Sequence, residues 1–249
     1  MSEAEKVNKI AALINESRES LAMLESNLPR QVDGFALSQK SKVPWKVLLY
    51  REALIWRIVE LGRSALESFL SDRLVSGVVL TRAAVETSAA LWYLSAKVDA
   101  VVDSKMVGDV DEYLMKLAMG TATGWPETDS SGDVLAMPRP IKIGAFLKQV
   151  EKDIEGFSHQ YGVLSEYAHP NCAGTVLLYS STNKQKAITD FGQNMRKAEN
   201  AKAVGVVNLS VALKMFQTKY NRISDLIPAF ISVCEARSDN QQGLAATRK

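Results

Sequence analysis

Apolar positions recur at three- and four-residue spacing over long stretches of this chain, and that period predicts helices. Val7, Ile10, Leu13, Ile14, Leu21 and Leu24 make one stripe, with Glu, Lys and Arg on the opposite face. Proline disfavours helical backbone in the residue before it, so this first helix should stop near Asn27 to Pro29. A polar connector follows, from Gln31 to Lys42. Pro44 suits the first position of a second helix, whose apolar face carries Leu48, Ile55, Ile58, Val59, Leu66, Phe69 and Leu70. Its charges, Arg51, Glu52, Arg57, Glu60, Arg63 and Glu67, include opposite signs at helical spacing, and a solvated face accounts for most of them.

The third helix, Leu74 to Lys97, differs. From Val78 to Leu94 it is apolar nearly all round, the pattern of a helix central to its bundle. Arg82 and Glu86 interrupt it on one face. A shorter helix over Val110 to Met119 leads to a stretch rich in turn formers, residues 120–140, which reads as a long loop or insertion. Helices are predicted again at Ile141 to Ile154 and Gly156 to His169. Thr175 to Tyr179 and Lys186 to Phe191 then flank a polar segment as a small β-hairpin. A long helix from Ala198 to about Cys234, at risk of a break at Pro228, closes the chain, and 238–249 reads as a frayed polar tail. The expected fold is all-α: one helical bundle over residues 1–249, with long helices and a hairpin near 175–191.

Composition narrows the function classes. The apolar fraction of 47% and charged fraction of 23% are those of a folded domain. A formal net charge of +2 lacks the strong basic excess of a dedicated nucleic-acid binder. Cys172 and Cys234 have neither disulfide-framework nor zinc-ligand spacing. His159 and His169 make no i, i+4 pair, so no metal is expected, and with Gly120-Thr-Ala-Thr-Gly fitting neither the P-loop nor the dinucleotide pattern, no cofactor is expected either. The charged N-terminus has no apolar signal segment, and no run approaches the roughly 18 uninterrupted apolar residues of a membrane helix. A cytoplasmic protein without a membrane partner is the expectation.

The chemistry concentrates in two places. Arg82 and Glu86 share a face of the apolar helix, either as an internal ion pair fixing helix register or as groups that orient a polar partner. Tyr161, Ser165 and His169 fall at i, i+4 and i+8 along one helical face, with Asn171 just beyond. His169 precedes Pro170 at a helix end, where unpaired carbonyls favour the protonated imidazole and a general acid/base role is open to it. Equally, it reads as a capping histidine.

The segments Arg82-Ala-Ala-Val-Glu86, Leu91-Trp-Tyr-Leu94 and Tyr161-x-x-Leu164-Ser165-x-x-x-His169-Pro170 resemble uncharacterised bacterial helical proteins distantly similar to the HEPN domains. The resemblance implies a helical homodimer with an RNA or protein partner, and in many HEPN proteins a metal-independent ribonuclease of defence or toxin–antitoxin systems. The HEPN catalytic motif sets an arginine, then four to six residues, before its histidine. Gly162, Val163 and Leu164 stand where that arginine would fall before His169. The leading expectation is therefore a binding or interaction module with Glu86, Tyr161, Ser165 and Asn171 as binding residues. The alternatives are a ribonuclease using His169 as acid/base and Arg82 as its phosphate-stabilising cation, and a purely structural polar core with function on the surface.

Overall fold

The stretch that reads as apolar all round becomes the axis of the molecule. In the computed structural model, which describes residues 3–123, 127–128, 131, 134–135 and 137–246, it forms α4 (Leu74–Ser104). This helix outruns its expected end at Lys97 because Val98 and Val101 continue the buried stripe. It packs against α3 (Val43–Leu70), α6 (Ile143–Glu151), α7 (Phe157–Ala168) and α9 (Ala198–Ala246). α4 is long and apolar enough to cross a membrane by length and composition alone, and 61% of its most apolar window is buried inside the bundle.

The remaining elements dress this core. The amphipathic α1 (Glu3–Ser26) lies on α3 and α9, and α5 (Val110–Ala118) packs on α3. The connector after Pro29 contains one helical turn, α2 (Gly34–Leu37), which Asp33 caps by accepting from the Phe35 and Ala36 backbone N–H groups, both at 3.0 Å. Pro44 sits in the first turn of α3, as its spacing predicts. The long α9 runs through Pro228 without a break.

α4 and α9 approach closely around one aromatic ring. Phe69, fully buried at the end of α3, fills the space left by Gly77 of α4 and Gly205 of α9. A Cβ at Gly77 would stand 2.5 Å from that ring, and one at Gly205 2.3 Å. About three turns further along the same interface, the Ser88 hydroxyl donates to the Ala212 carbonyl at 2.8 Å, satisfying a polar group in the core.

The hairpin is present but shifted. Val176–Tyr179, which reads as its first strand, is instead a single helical turn, α8. Backbone bonds from Leu177 to Cys172 and from Tyr179 to Thr175 close that turn, and it buries Leu178. The ladder falls to the more polar β3 (Ser180–Asn183), which pairs antiparallel with β4 (Ile188–Phe191). Within the 120–140 loop, β1 (Glu127–Thr128) and β2 (Val134–Leu135) form a two-residue antiparallel ladder. Much of that loop, and residues 247–249 of the polar tail, lie outside the described residues.

Candidate functional site

α4 and α7 bring three of the polar residues singled out in the sequence into one cluster. Arg82 and Glu86 stand one turn apart on α4, with Nε and Oε1 separated by 3.3 Å. Tyr161, in the second turn of α7, reaches both: its hydroxyl accepts from Arg82 Nε at 3.0 Å and donates to Glu86 Oε1 at 2.5 Å. The hydroxyl thus relays between cation and carboxylate. α7 is itself held at its start by Glu151, whose carboxylate accepts from the Gly156 and Ser158 N–H groups at 2.7 and 2.6 Å.

The electrostatics follow from that relay. The Tyr161 hydroxyl, and after it Glu86, hold the Arg82 guanidinium above its ordinary pKa. Burial, then the Glu86 carboxylate, push the Tyr161 phenol up, so it stays a neutral donor. The ion pair is not internal, contrary to one expectation: the side chains of Arg82 and Glu86 are 30% and 35% exposed. A pair so wetted contributes little to stability. Its geometric effect is larger, because Arg82 is clamped through Nε alone. Neither Nη1 nor Nη2 donates a hydrogen bond to any described residue.

The other candidates part company. Ser165 lies one turn beyond Tyr161, and its Oγ is buried without a hydrogen-bond partner among the described residues. His169 is the exposed C-cap of α7, its backbone N–H donating to the Ser165 carbonyl at 3.0 Å. No hydrogen bond or ion pair among the described residues joins its imidazole to Arg82. His169 lies roughly 12 Å along the axis from Tyr161 at 1.5 Å per residue, and helical side chains lean toward the N-terminus. Tyr161 therefore leans away from it. Asn171 shapes the chain: Oδ1 accepts from the Ala173 and Gly174 N–H groups at 3.0 and 3.1 Å, while Nδ2 donates to Glu166 at 2.6 Å. Leu164, one of the three positions where the motif arginine would fall, is fully buried in the core.

Two of the α3 charges are exceptions to the solvated face that accounts for most of them, and they form a second polar cluster. Arg51 and Glu52 of α3 are buried, their side chains 8% and 11% exposed. Arg51 pairs with Glu52, donates through Nε and Nη2 to the Tyr220 carbonyl at 3.3 and 3.0 Å, bonds the Ser224 hydroxyl, and lies 3.5 Å over the Tyr220 ring. The Tyr220 hydroxyl donates to Glu52 Oε2 at 2.5 Å, and burial followed by that carboxylate drives its pKa strongly upward. Both charges fall within the apolar stripe, four and three residues before Ile55, and that position is the signal that betrays them. Glu52 and Tyr220 also line a cleft of about 360 Å³ beneath α2.

Among the described residues no group of three or more His, Cys, Asp or Glu side chains could hold a metal ion. The cysteines differ: Cys172 is exposed, whereas Cys234 is buried and its thiol is pushed up to about 11 by burial. The thiolate is the reactive form. A maleimide at neutral pH is thus expected to label the folded chain at Cys172 alone, and Cys234 only after denaturation. Two fast-reacting thiols, counted by mass, would contradict the packing of α9.

No known protein family, curated protein or solved structure matches the chain.

Proposed function

We propose that this protein is a HEPN-like binding module that takes one carboxylate or phosphate group of an RNA or protein partner at Arg82. The observation that carries the reading is the clamp on Nε. Tyr161 and Glu86 fix the guanidinium plane and leave its two terminal nitrogens, on a side chain 30% exposed, without a partner among the described residues. A planar fork held in that way suits bidentate recognition of an oxyanion, and its rigidity lowers the ordering cost of binding. Two of the three short segments behind the resemblance also meet here, Arg82 and Glu86 from one and Tyr161 from another. Glu86 offsets part of the charge, and the net charge of the chain is only +2, which favours a single anionic group over a polyanionic track.

Inorganic phosphate at constant ionic strength is expected to raise the Tm of the wild-type chain saturably, as a ligand of the native state does. Arg82→Ala should abolish the saturable part, whereas the general stabilisation by excluded phosphate persists in both proteins. Arg82→Lys, which keeps charge and loses the fork, should weaken binding on the order of tenfold. Equal phosphate responses in all three proteins would refute the proposal. Metal-independent cleavage of RNA, lost on His169→Ala, would favour the ribonuclease reading instead.

A further inference from the structure

A groove with no residue in common with the Arg82 cluster runs between the N-terminal half of α1 and the start of α9. Its volume is about 740 Å³, within the usual range of small-molecule sites. Its walls are aliphatic: Val7, Ile10 and Ile14 from α1, Leu74 from the start of α4, Ala203 and Val207 from α9. Two of these are left uncovered on facing walls, Val7 at 57% and Val207 at 41% exposed. Exposed aliphatic side chains aligned along a concave surface lose free energy to water that an apolar occupant would recover.

The rim carries charge of one predominant sign. Lys6, Lys9 and Lys202 lie on it, against two carboxylates, Asp72 and Glu199. Lys202 is committed to Asp72 at 2.7 Å. Among the described lining residues, three ammonium groups thus stand against two carboxylates. Lys9 is exposed and makes no hydrogen bond or ion pair with a described residue.

We infer that this groove binds a single-chain amphiphile with one anionic head, a medium- or long-chain carboxylate, its tail along Val7, Ile10, Ile14 and Val207 and its head beside Lys9. The aliphatic walls select the chain, and the excess lysine selects the sign of the head.

Isothermal titration of the full chain with dodecanoate, decanoate and octanoate, all below their micellar range, tests this. Each two methylene groups removed should weaken binding on the order of tenfold, since a buried CH₂ contributes roughly 0.8 kcal/mol. Dodecylammonium should bind several-fold more weakly than dodecanoate, and Lys9→Glu should reverse that preference. Val207→Asp and, on the opposite wall, Val7→Asp should abolish dodecanoate binding; both positions are exposed, so an unchanged circular dichroism melt confirms the variants are folded. Saturable binding with that chain-length and charge dependence supports the proposal. No saturable dodecanoate binding, equal affinity for the ammonium analogue, or binding that survives both Asp substitutions would overturn it. So would a groove that takes an amphipathic helical peptide and rejects dodecanoate.

Discussion

Replacing Arg51 by Met is expected to destabilise the fold by about 3–5 kcal/mol, lowering Tm on the order of 10 °C. The methionine fills a similar volume, so the loss is electrostatic. It leaves Glu52, nine-tenths buried, without its cation, and the Tyr220 carbonyl without two donors. An isolated buried carboxylate either ionises at heavy cost or takes up a proton. Glu52→Leu alone should cost a comparable amount by stranding the guanidinium. The double variant Arg51→Met/Glu52→Leu removes both charges and should recover at least half of either loss, because hydrophobic replacement of a buried ion pair is often near neutral. Urea denaturation of the four proteins measures this coupling. Strictly additive losses would mean the two residues do not act as a pair.

Phe69→Ala should cost about 3–5 kcal/mol, the usual range for emptying a buried aromatic site. The context sharpens the test, because the ring occupies a notch made by two glycines. Gly→Ala inside a helix ordinarily stabilises by roughly 0.5–1 kcal/mol. At Gly205 the added methyl would stand 2.3 Å from the Phe69 ring, so Gly205→Ala in the wild type should instead destabilise by about 1–3 kcal/mol. In the Phe69→Ala background the obstruction is gone, and the same substitution should turn neutral or stabilising. A sign that does not change with the background would show that α4 and α9 are not keyed on this ring.

What the sequence could show depended on how far apart the partners stand. Hydrophobic period is local, and it located α4 as the central helix and Pro44 at the start of α3. It also carried α9 past Pro228 more firmly than a lone proline suggested, because Ile223, Leu226 and Phe230 keep the buried face on both sides. Arg51 and Glu52 were misjudged because residue type outweighed position. Their stripe pointed inward, but the groups that satisfy them, Tyr220 and Ser224, lie more than 160 residues away on α9. The Arg82–Tyr161–Glu86 cluster was half legible. Each motif stood out against its own helix, yet only packing of α7 on α4 joins Arg82 to Tyr161, 79 residues later. The hairpin shifted because β-propensity along Val176 to Tyr179 was overridden by burial of Leu178 in a helical turn. Local preference is a weak guide where one side chain reaches the core.

The claim that Arg82 is a preset anion fork is tested most directly on the guanidinium itself. In arginine side-chain ¹⁵N NMR, with the Arg82 signals assigned by their loss in Arg82→Lys, inorganic phosphate and acetate would be titrated at constant ionic strength. Before any anion is added, the Arg82 Nε–H, held by Tyr161, should give a shifted signal that exchanges slowly with water, and each anion should then shift the Nη–H signals saturably and slow the guanidinium rotation. Tyr161→Phe should speed Nε–H exchange and weaken the Nη–H response. A rapidly exchanging Arg82 Nε–H in the wild type, or Nη–H signals that ignore both anions, would contradict this.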